Sequence, residues 1–202
     1  MQKRISHHST IEETTMSTAT LEAPATTAWQ IDASHTGVEF AVKHLMISSV
    51  KGRFSEVSGS LTGDIANPET FGLDVKIGVA SIDTRQEMRD NHLRSADFFD
   101  AEKYPTIDFR GNRIDGDVSE EFKLYGNLTI HGITREVALD VTNEGTVIDP
   151  WGGSRIGFSA KGKIDRTDFG LTYNQALEAG GFVVGDEIKI SIDAEFTAVA
   201  AA

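Results

Sequence analysis

Four histidines lie in the apolar-rich part of the chain: His35, His44, His92 and His131. Histidine titrates near neutral pH and is the commonest nitrogen ligand for metals, so its spacing is the first test for acid–base or metal chemistry. His35 and His44 are nine apart on what reads as one extended segment, which sets them on opposite faces. His131 sits in a two-residue link between strands, so the spacing builds no metal-ligand set. Each reads as a hydrogen-bonding or turn residue, with a polar contact to a ligand head group as the sharper role. Around His92, the side chains of Arg85, Arg89 and Arg94 form a local basic cluster. Its two readings are surface pairing with Glu87 and Asp90 and attraction of an anionic head group by Arg85, Arg89 and His92. Asp115, Asp117 and Ser119 begin like a calcium loop, but the position that demands glycine is Glu120. No G-x-S-x-G, H-E-x-x-H, phosphate-cradling loop or strand-linked G-x-G-x-x-G occurs. The enzyme reading is then left with His92 and Asp90, or His44, as acid and base, at a spacing that matches no known catalytic arrangement.

Composition narrows the classes further. The chain has 202 residues, 39% hydrophobic and 25% charged, which suits one domain with a sizeable core. Lysine plus arginine total 19 against 31 acids, a formal charge of -12 that repels phosphate backbones and argues against nucleic-acid partners. Without cysteine there is no disulfide, thiolate zinc site or cysteine nucleophile. No apolar run approaches the roughly 18 to 20 residues of a membrane-spanning helix, so a soluble protein is expected. The first residues lack the apolar core of a secretory signal, which predicts a cytoplasmic location.

The elements that must position any site are strands. Residues 1–28 are Thr-, Ser- and Ala-rich with hardly any large apolar side chain and read as a mobile tail; residues 29–199 read as the folded domain. There, period-two alternation recurs almost to the end. Val38, Phe40 and Val42 alternate with Glu39 and Lys43. Leu73, Val75, Ile77 and Val79 alternate with Asp74 and Lys76. Phe122, Leu124, Leu128 and Ile130 share one parity, as do Ile188, Ile190, Ile192 and Phe196. With the runs between them, about eight strands emerge, joined by links too short for crossover helices and therefore antiparallel. One helix interrupts them: Thr84-Arg85-Gln86-Glu87 fits a capping box, with Met88, His92, Ser95, Ala96 and Phe99 along one face. Pro105 ends it, and a second short helix or ordered loop is expected between Asp168 and Gly181.

The expected fold is therefore all-β with one or two short helices: about eight antiparallel strands suit either a closed barrel or a two-sheet sandwich, and the single apolar face of each strand favours the barrel. Closing the sheet puts its apolar faces inside. Alternation does not say whether those side chains fill the interior or line a tunnel.

Several segments resemble the YceI-like family, also called lipid- or polyisoprenoid-binding. They are Trp29-Gln-Ile-Asp32 with Ser34-His35, Phe40 to Leu45, Val50 to Phe54, Arg89 to Ser95 with Phe98-Phe99, Tyr104-Pro105, Gly126 to Thr134, and Arg166 to Gly170. The resemblance spans nearly everything after the tail. It implies an extended eight-stranded antiparallel barrel of lipocalin-like form, holding a long isoprenoid or other amphiphile in an apolar tunnel. Many relatives are exported to the periplasm, and this chain departs from them in its first residues.

The resemblance and the alternation together predict a non-enzymatic carrier without cofactor or metal. Its partner would be a long-chain isoprenoid, isoprenoid quinone or fatty-acid-like lipid, and it would act alone or as a homodimer. The expected tunnel wall is Phe40, Val42, Phe54, Val75, Ile77, Phe109, Leu124, Leu128 and Phe158, with Phe98 and Phe99 near the mouth. A fully packed structural or stress-related interaction module is the other rival.

Overall fold

The computed structural model describes residues 28–63, 70–176 and 182–199. Its strands are β1 (Ala28–Ile31), β2 (Gly37–His44), β3 (Ser48–Phe54), β4 (Val57–Thr62), β5 (Gly72–Gly78), β6 (Ile82–Asp83), β7 (Thr106–Gly116), β8 (Glu121–Ile130), β9 (Ile133–Ile148), β10 (Ser154–Asp165) and β11 (Val184–Val199). Three pairs act as single bent staves, β1 with β2, β3 with β4, and β5 with β6, so the eleven segments make eight staves. All neighbours are antiparallel. β11 closes the cylinder by pairing with β2 along its first half and with β1 along its last residues, from Ile31 opposite Phe196 to Ala28 opposite Val199. Closure removes most of the exposed edge that an open sheet of this length would carry.

Each bend has a local cause. Between β1 and β2 the Asp32 carboxylate accepts the Ser34 amide at 3.0 Å, and Thr36 Oγ1 accepts the Glu195 amide at 3.2 Å. The ladder along β11 thereby stays hydrogen-bonded through the bend. His35 lies in this bend, outside the strands, so it and His44 do not share the one straight segment expected. Between β3 and β4 the amides of Ser55 and Glu56 both turn to Ser81 Oγ, at 3.1 and 3.0 Å. The link from β8 to β9 is a two-residue turn, with His131 at φ 52° and Gly132 at φ 75°. That pair of left-handed residues matches the twist of a tight hairpin.

The single α-helix among the described residues, α1 (Glu87–Arg94), corrects the capping expectation. Its N-cap is Gln86, whose side chain accepts the Arg89 amide at 2.6 Å. Thr84 instead gives its amide, at 2.9 Å, and its hydroxyl to the buried Asp90 carboxylate. The helix ends before Ser95, and Met88, expected on the buried face, is 78% exposed. A buried carboxylate holding the preceding loop outweighed the apolar periodicity. Of the second short helix or ordered loop expected between Asp168 and Gly181, the described part holds the end of a 3-10 turn over Arg166–Phe169 and then non-helical chain to residue 176. Residues 177–181 lie outside the described residues, as do residues 1–27 of the expected tail. Ala28, read with that tail, starts β1. No helix among the described residues is long and apolar enough to cross a membrane.

Candidate ligand-binding cavity

Alternation along the staves turns one row of apolar side chains inward. On β8 the buried positions are Phe122, Leu124, Gly126, Leu128 and Ile130, and the residues between face outward. Burying each large one contributes about 1.5–3 kcal/mol. The same rows enclose a cavity of about 250 Å³. A water-sized sphere needs about 10–15 Å³ of such space, so the cavity has room for on the order of twenty methylene-sized groups.

The cavity wall contains every residue expected in it. Phe40 and Val42 come from β2, Phe54 from β3, Val75 and Ile77 from β5, and Phe109 from β7. Leu124 and Leu128 come from β8 and Phe158 from β10, while Phe98 and Phe99 enter from the segment after α1. Among the described residues, all that line the cavity are apolar apart from Thr36, Glu39 and Arg166. The two sides of the wall differ. Phe109, Phe122, Leu124, Leu128 and Leu139 are buried against one another, whereas Phe40, Val42, Ile188, Ile190 and Ile192 across the barrel are only half-buried. The free space therefore borders β2 and the first half of β11, and also Leu73 and Val75 on β5 and Phe158 on β10, which are half-buried too.

Glycines explain why that space exists. Gly52 sits directly opposite Phe40 in the β2–β3 ladder, and a Cβ on it would fall 2.4 Å from Phe40 Cζ. Gly126, opposite Gly111 in the β7–β8 ladder, lies diagonal to Phe109, and a Cβ on it would fall 2.4 Å from Phe109 Cζ. Each phenyl ring lies down over the neighbouring strand's glycine rather than standing out into the lumen. Aromatic edge contacts then brace the rings: Phe54 with Phe99 at 6.1 Å and 84°, Phe122 with Phe158 at 6.3 Å, and Phe158 with Phe196 at 6.1 Å.

The basic cluster does not reach the cavity. Arg89 donates from Nε to Thr84 Oγ1 at 2.7 Å and from Nη2 to Thr84 O at 2.8 Å. Arg94 reaches the carbonyls of Ala80 and Ile82 at 2.8 and 2.7 Å. Arg85 is exposed, and His92 pairs with Asp97 at 3.1 Å while its ring packs on Phe98 and Tyr173. Arg94 thereby ties α1 to β6 and the turn before it, and Arg89 ties α1 to Thr84.

The cation in the cavity wall is Arg166, which the alternation did not single out. Only 3% exposed, it donates from Nε to Gly185 O at 2.9 Å and from Nη1 to Leu171 O and, at 3.0 Å, to Tyr173 O. Its Nη2 reaches Val184 O at 3.5 Å and Asp186 Oδ1 at 2.8 Å. The guanidinium thus ties the segment after β10 to the start of β11 with its charge neutralised by Asp186. A charged residue just past the last alternating position of a strand was the available signal.

At the opposite end of the barrel Asp32, His35 and Glu195 bring their ligand atoms within 4.8 Å of one another. Arg155 already occupies that focus: its Nη1 donates to Asp32 at 2.9 Å and to Glu195, and its Nε to Asp149 at 2.8 Å. The Ser34 hydroxyl, His35 and Arg155 hold the Asp32 carboxyl well below the usual carboxylate range. Asp32, then Glu195, raise the His35 imidazole above its ordinary value. This group is an ion-pair clasp joining β1, β10 and β11.

Comparison with known proteins agrees with this architecture. The family model for the YceI-like domain matches residues 29–196. UPF0312 protein SA2479 of Staphylococcus aureus strain N315 is 39% identical over 172 residues, covering 85% of this chain and 98% of that protein. The Campylobacter jejuni YCEI protein superposes with a TM-score of 0.65 at 37% identity, over 79% of this chain and 90% of that one. Two more distant structures share the fold. BcnA of Burkholderia cenocepacia has a TM-score of 0.70 at 23% identity, covering 82% of this chain and 98% of that one. A polyisoprenoid binding domain from Saccharophagus degradans has 0.63 at 16%, covering 85% and 98%. The match across nearly the whole barrel and the identity to the staphylococcal protein make this chain a member of the YceI-like family.

Proposed function

We propose that the protein binds a long-chain amphiphile, a polyisoprenoid, isoprenoid quinone or fatty acyl lipid, inside the barrel and carries or sequesters it without chemical change. The observation that carries this reading is the 250 Å³ vacancy behind a wall that is apolar except at Thr36, Glu39 and Arg166. Burying ten methylenes there supplies about 8 kcal/mol before ordering costs. No anchoring charge is required. The Saccharophagus barrel is named for polyisoprenoid binding, and the cavity of this chain has the chemistry for that class of ligand.

The wall also favours binding over catalysis. Among the described residues its ionisable side chains are Glu39 and Arg166, and the Arg166 guanidinium is engaged with backbone carbonyls and Asp186. His44, Asp90 and His92, the acid–base candidates, do not line it. Native mass spectrometry of purified protein, followed by lipid extraction and by titration with isoprenoids and fatty acids, tests the reading. A bound lipid or saturable binding is expected; neither retained lipid nor binding of either class would overturn it.

A further inference from the structure

We propose that the tip of the β2–β3 hairpin docks onto an anionic lipid bilayer and sets the cavity there to exchange its ligand with the membrane. The inference rests on the reading of the cavity as a lipid site and goes beyond it by naming the surface from which the lipid comes.

The tip carries apolar side chains that the fold does not cover. Met46 is 65% and Ile47 85% exposed. They belong to a four-residue turn closed by the Ile47 amide on His44 O at 3.2 Å, with Leu45 at φ 51° and Met46 at φ 61°. Those two positions of such a turn usually hold Asn-Gly, because left-handed backbone disfavours residues with a Cβ. Two large apolar residues occupy them here. Beside them stands Phe182, 54% exposed, on the segment whose next residue accepts the Leu45 amide at 2.9 Å through Val183 O. Val42 and Val184, on the same two strands, line the cavity. An exposed apolar rim therefore adjoins that end of the ligand site.

Charge identifies the partner. Behind the tip, Lys163, Lys189, Ala41 and Lys51 stand in one cross-strand row on β10, β11, β2 and β3, and Lys43 lies two residues nearer the tip. All four lysines are exposed. Lys163 pairs with Glu187 at 3.2 Å, while Lys43, Lys51 and Lys189 form no ion pair among the described residues. Unpaired lysines in one patch of a chain with net charge -12 make a local positive face. Apolar insertion with adjacent basic residues is the combination that holds a protein on an anionic membrane surface. A protein partner or a second copy of this equally acidic chain gains less from that face than phospholipid headgroups do.

The test is flotation of the full chain with vesicles of phosphatidylcholine alone or of equal parts phosphatidylcholine and phosphatidylglycerol, at low and high salt. Wild type should float with the anionic vesicles at low salt and be released by salt. Met46→Ser with Ile47→Ser should abolish flotation. Each of Lys43→Gln, Lys51→Gln and Lys189→Gln should lower the partition coefficient about fivefold. Circular dichroism checks folding, and none of these residues lines the cavity, so solution binding of lipid should persist in every variant. Lipid binding without flotation, or flotation that the substitutions leave unchanged, overturns this inference and spares the cavity reading. Flotation of a protein that binds no lipid in solution removes the cavity reading instead. A wild type that does not float and a Met46→Ser, Ile47→Ser variant that turns a dimer into a monomer would assign the tip to self-association.

Discussion

Arg155 Nη1 lies 2.9 Å from Asp32 Oδ2, joining residues 123 positions apart where β10 meets the bend between β1 and β2. Glu195, Asp149 and His35 complete the clasp, and the pKa shifts within it predict how the barrel responds to pH. His35 is raised above its ordinary 6.5, so its contribution is complete below that pH and is lost as pH rises through the higher folded value. Asp32 is lowered from 3.8, so its contribution is present above that pH and is lost as pH falls through the folded value. Both act together between those ordinary values. Thermal unfolding across pH should show His35→Gln flattening the decline of Tm on the alkaline side while leaving the acid limb in place. Arg155→Met should lower Tm at all pH values above the carboxylate range.

Filling the lumen should stop ligand binding without opening the cylinder. Val75 is half-buried and Leu128 buried, both in the cavity wall. Val75→Trp or Leu128→Trp puts an indole into the vacancy, at a stability cost of about 1–3 kcal/mol. Lipid affinity should fall at least about tenfold, measured by fluorescence titration, with an unchanged far-UV spectrum. Unaltered affinity in both variants would show that the ligand lies elsewhere.

Gly52→Ala tests the ring over the glycine. The added Cβ would meet Phe40 Cζ at 2.4 Å and Thr84 Cγ2 at 2.8 Å, so the ring has to swing toward the lumen. Lipid affinity should drop about tenfold while the β2–β3 ladder persists. A Phe40→Leu change in the same chain should restore binding, because the shorter side chain clears the new methyl group.

Arg166→Met should act on stability first. It leaves the Asp186 carboxylate and the carbonyls of Gly185, Leu171 and Tyr173 without the donor they share. The Asp186 side chain is 48% exposed and is solvated once the guanidinium is gone, so the cost comes from the carbonyls that lose their donor, about 1–3 kcal/mol, readable as a lower denaturation midpoint. Binding of uncharged isoprenoids to the protein that remains folded should change little, since the guanidinium is spent on the fold.

The barrel and its inward rows were legible because period-two alternation reports which face meets the core, and every expected wall residue lies in the wall. The charged residues were less legible. Arg89 and His92 are taken up by Thr84 and Asp97, Arg94 by the carbonyls of Ala80 and Ile82, and Arg85 stays exposed, a division that residue type and spacing do not report. Arg166 sits past the end of an alternating run, where periodicity carries no information. The helix start was misread because Thr84 obeys the buried Asp90 rather than the local capping pattern. The bends at Asp32–Thr36 and Ser55-Glu56 depend on hydrogen-bond partners from distant segments, Glu195 and Ser81, so eleven strand segments stand where about eight continuous runs were expected.

The pairing of Phe40 with Gly52 and of Phe109 with Gly126 separates bore from frame. The cylinder is held by main-chain ladders, whereas its inner calibre depends on whether a few aromatic side chains recline or stand. Exchanging one glycine or one ring retunes which guests fit, with no new register and no new loop. In a cylinder built this way, the width available inside is set apart from the ladders that keep it closed.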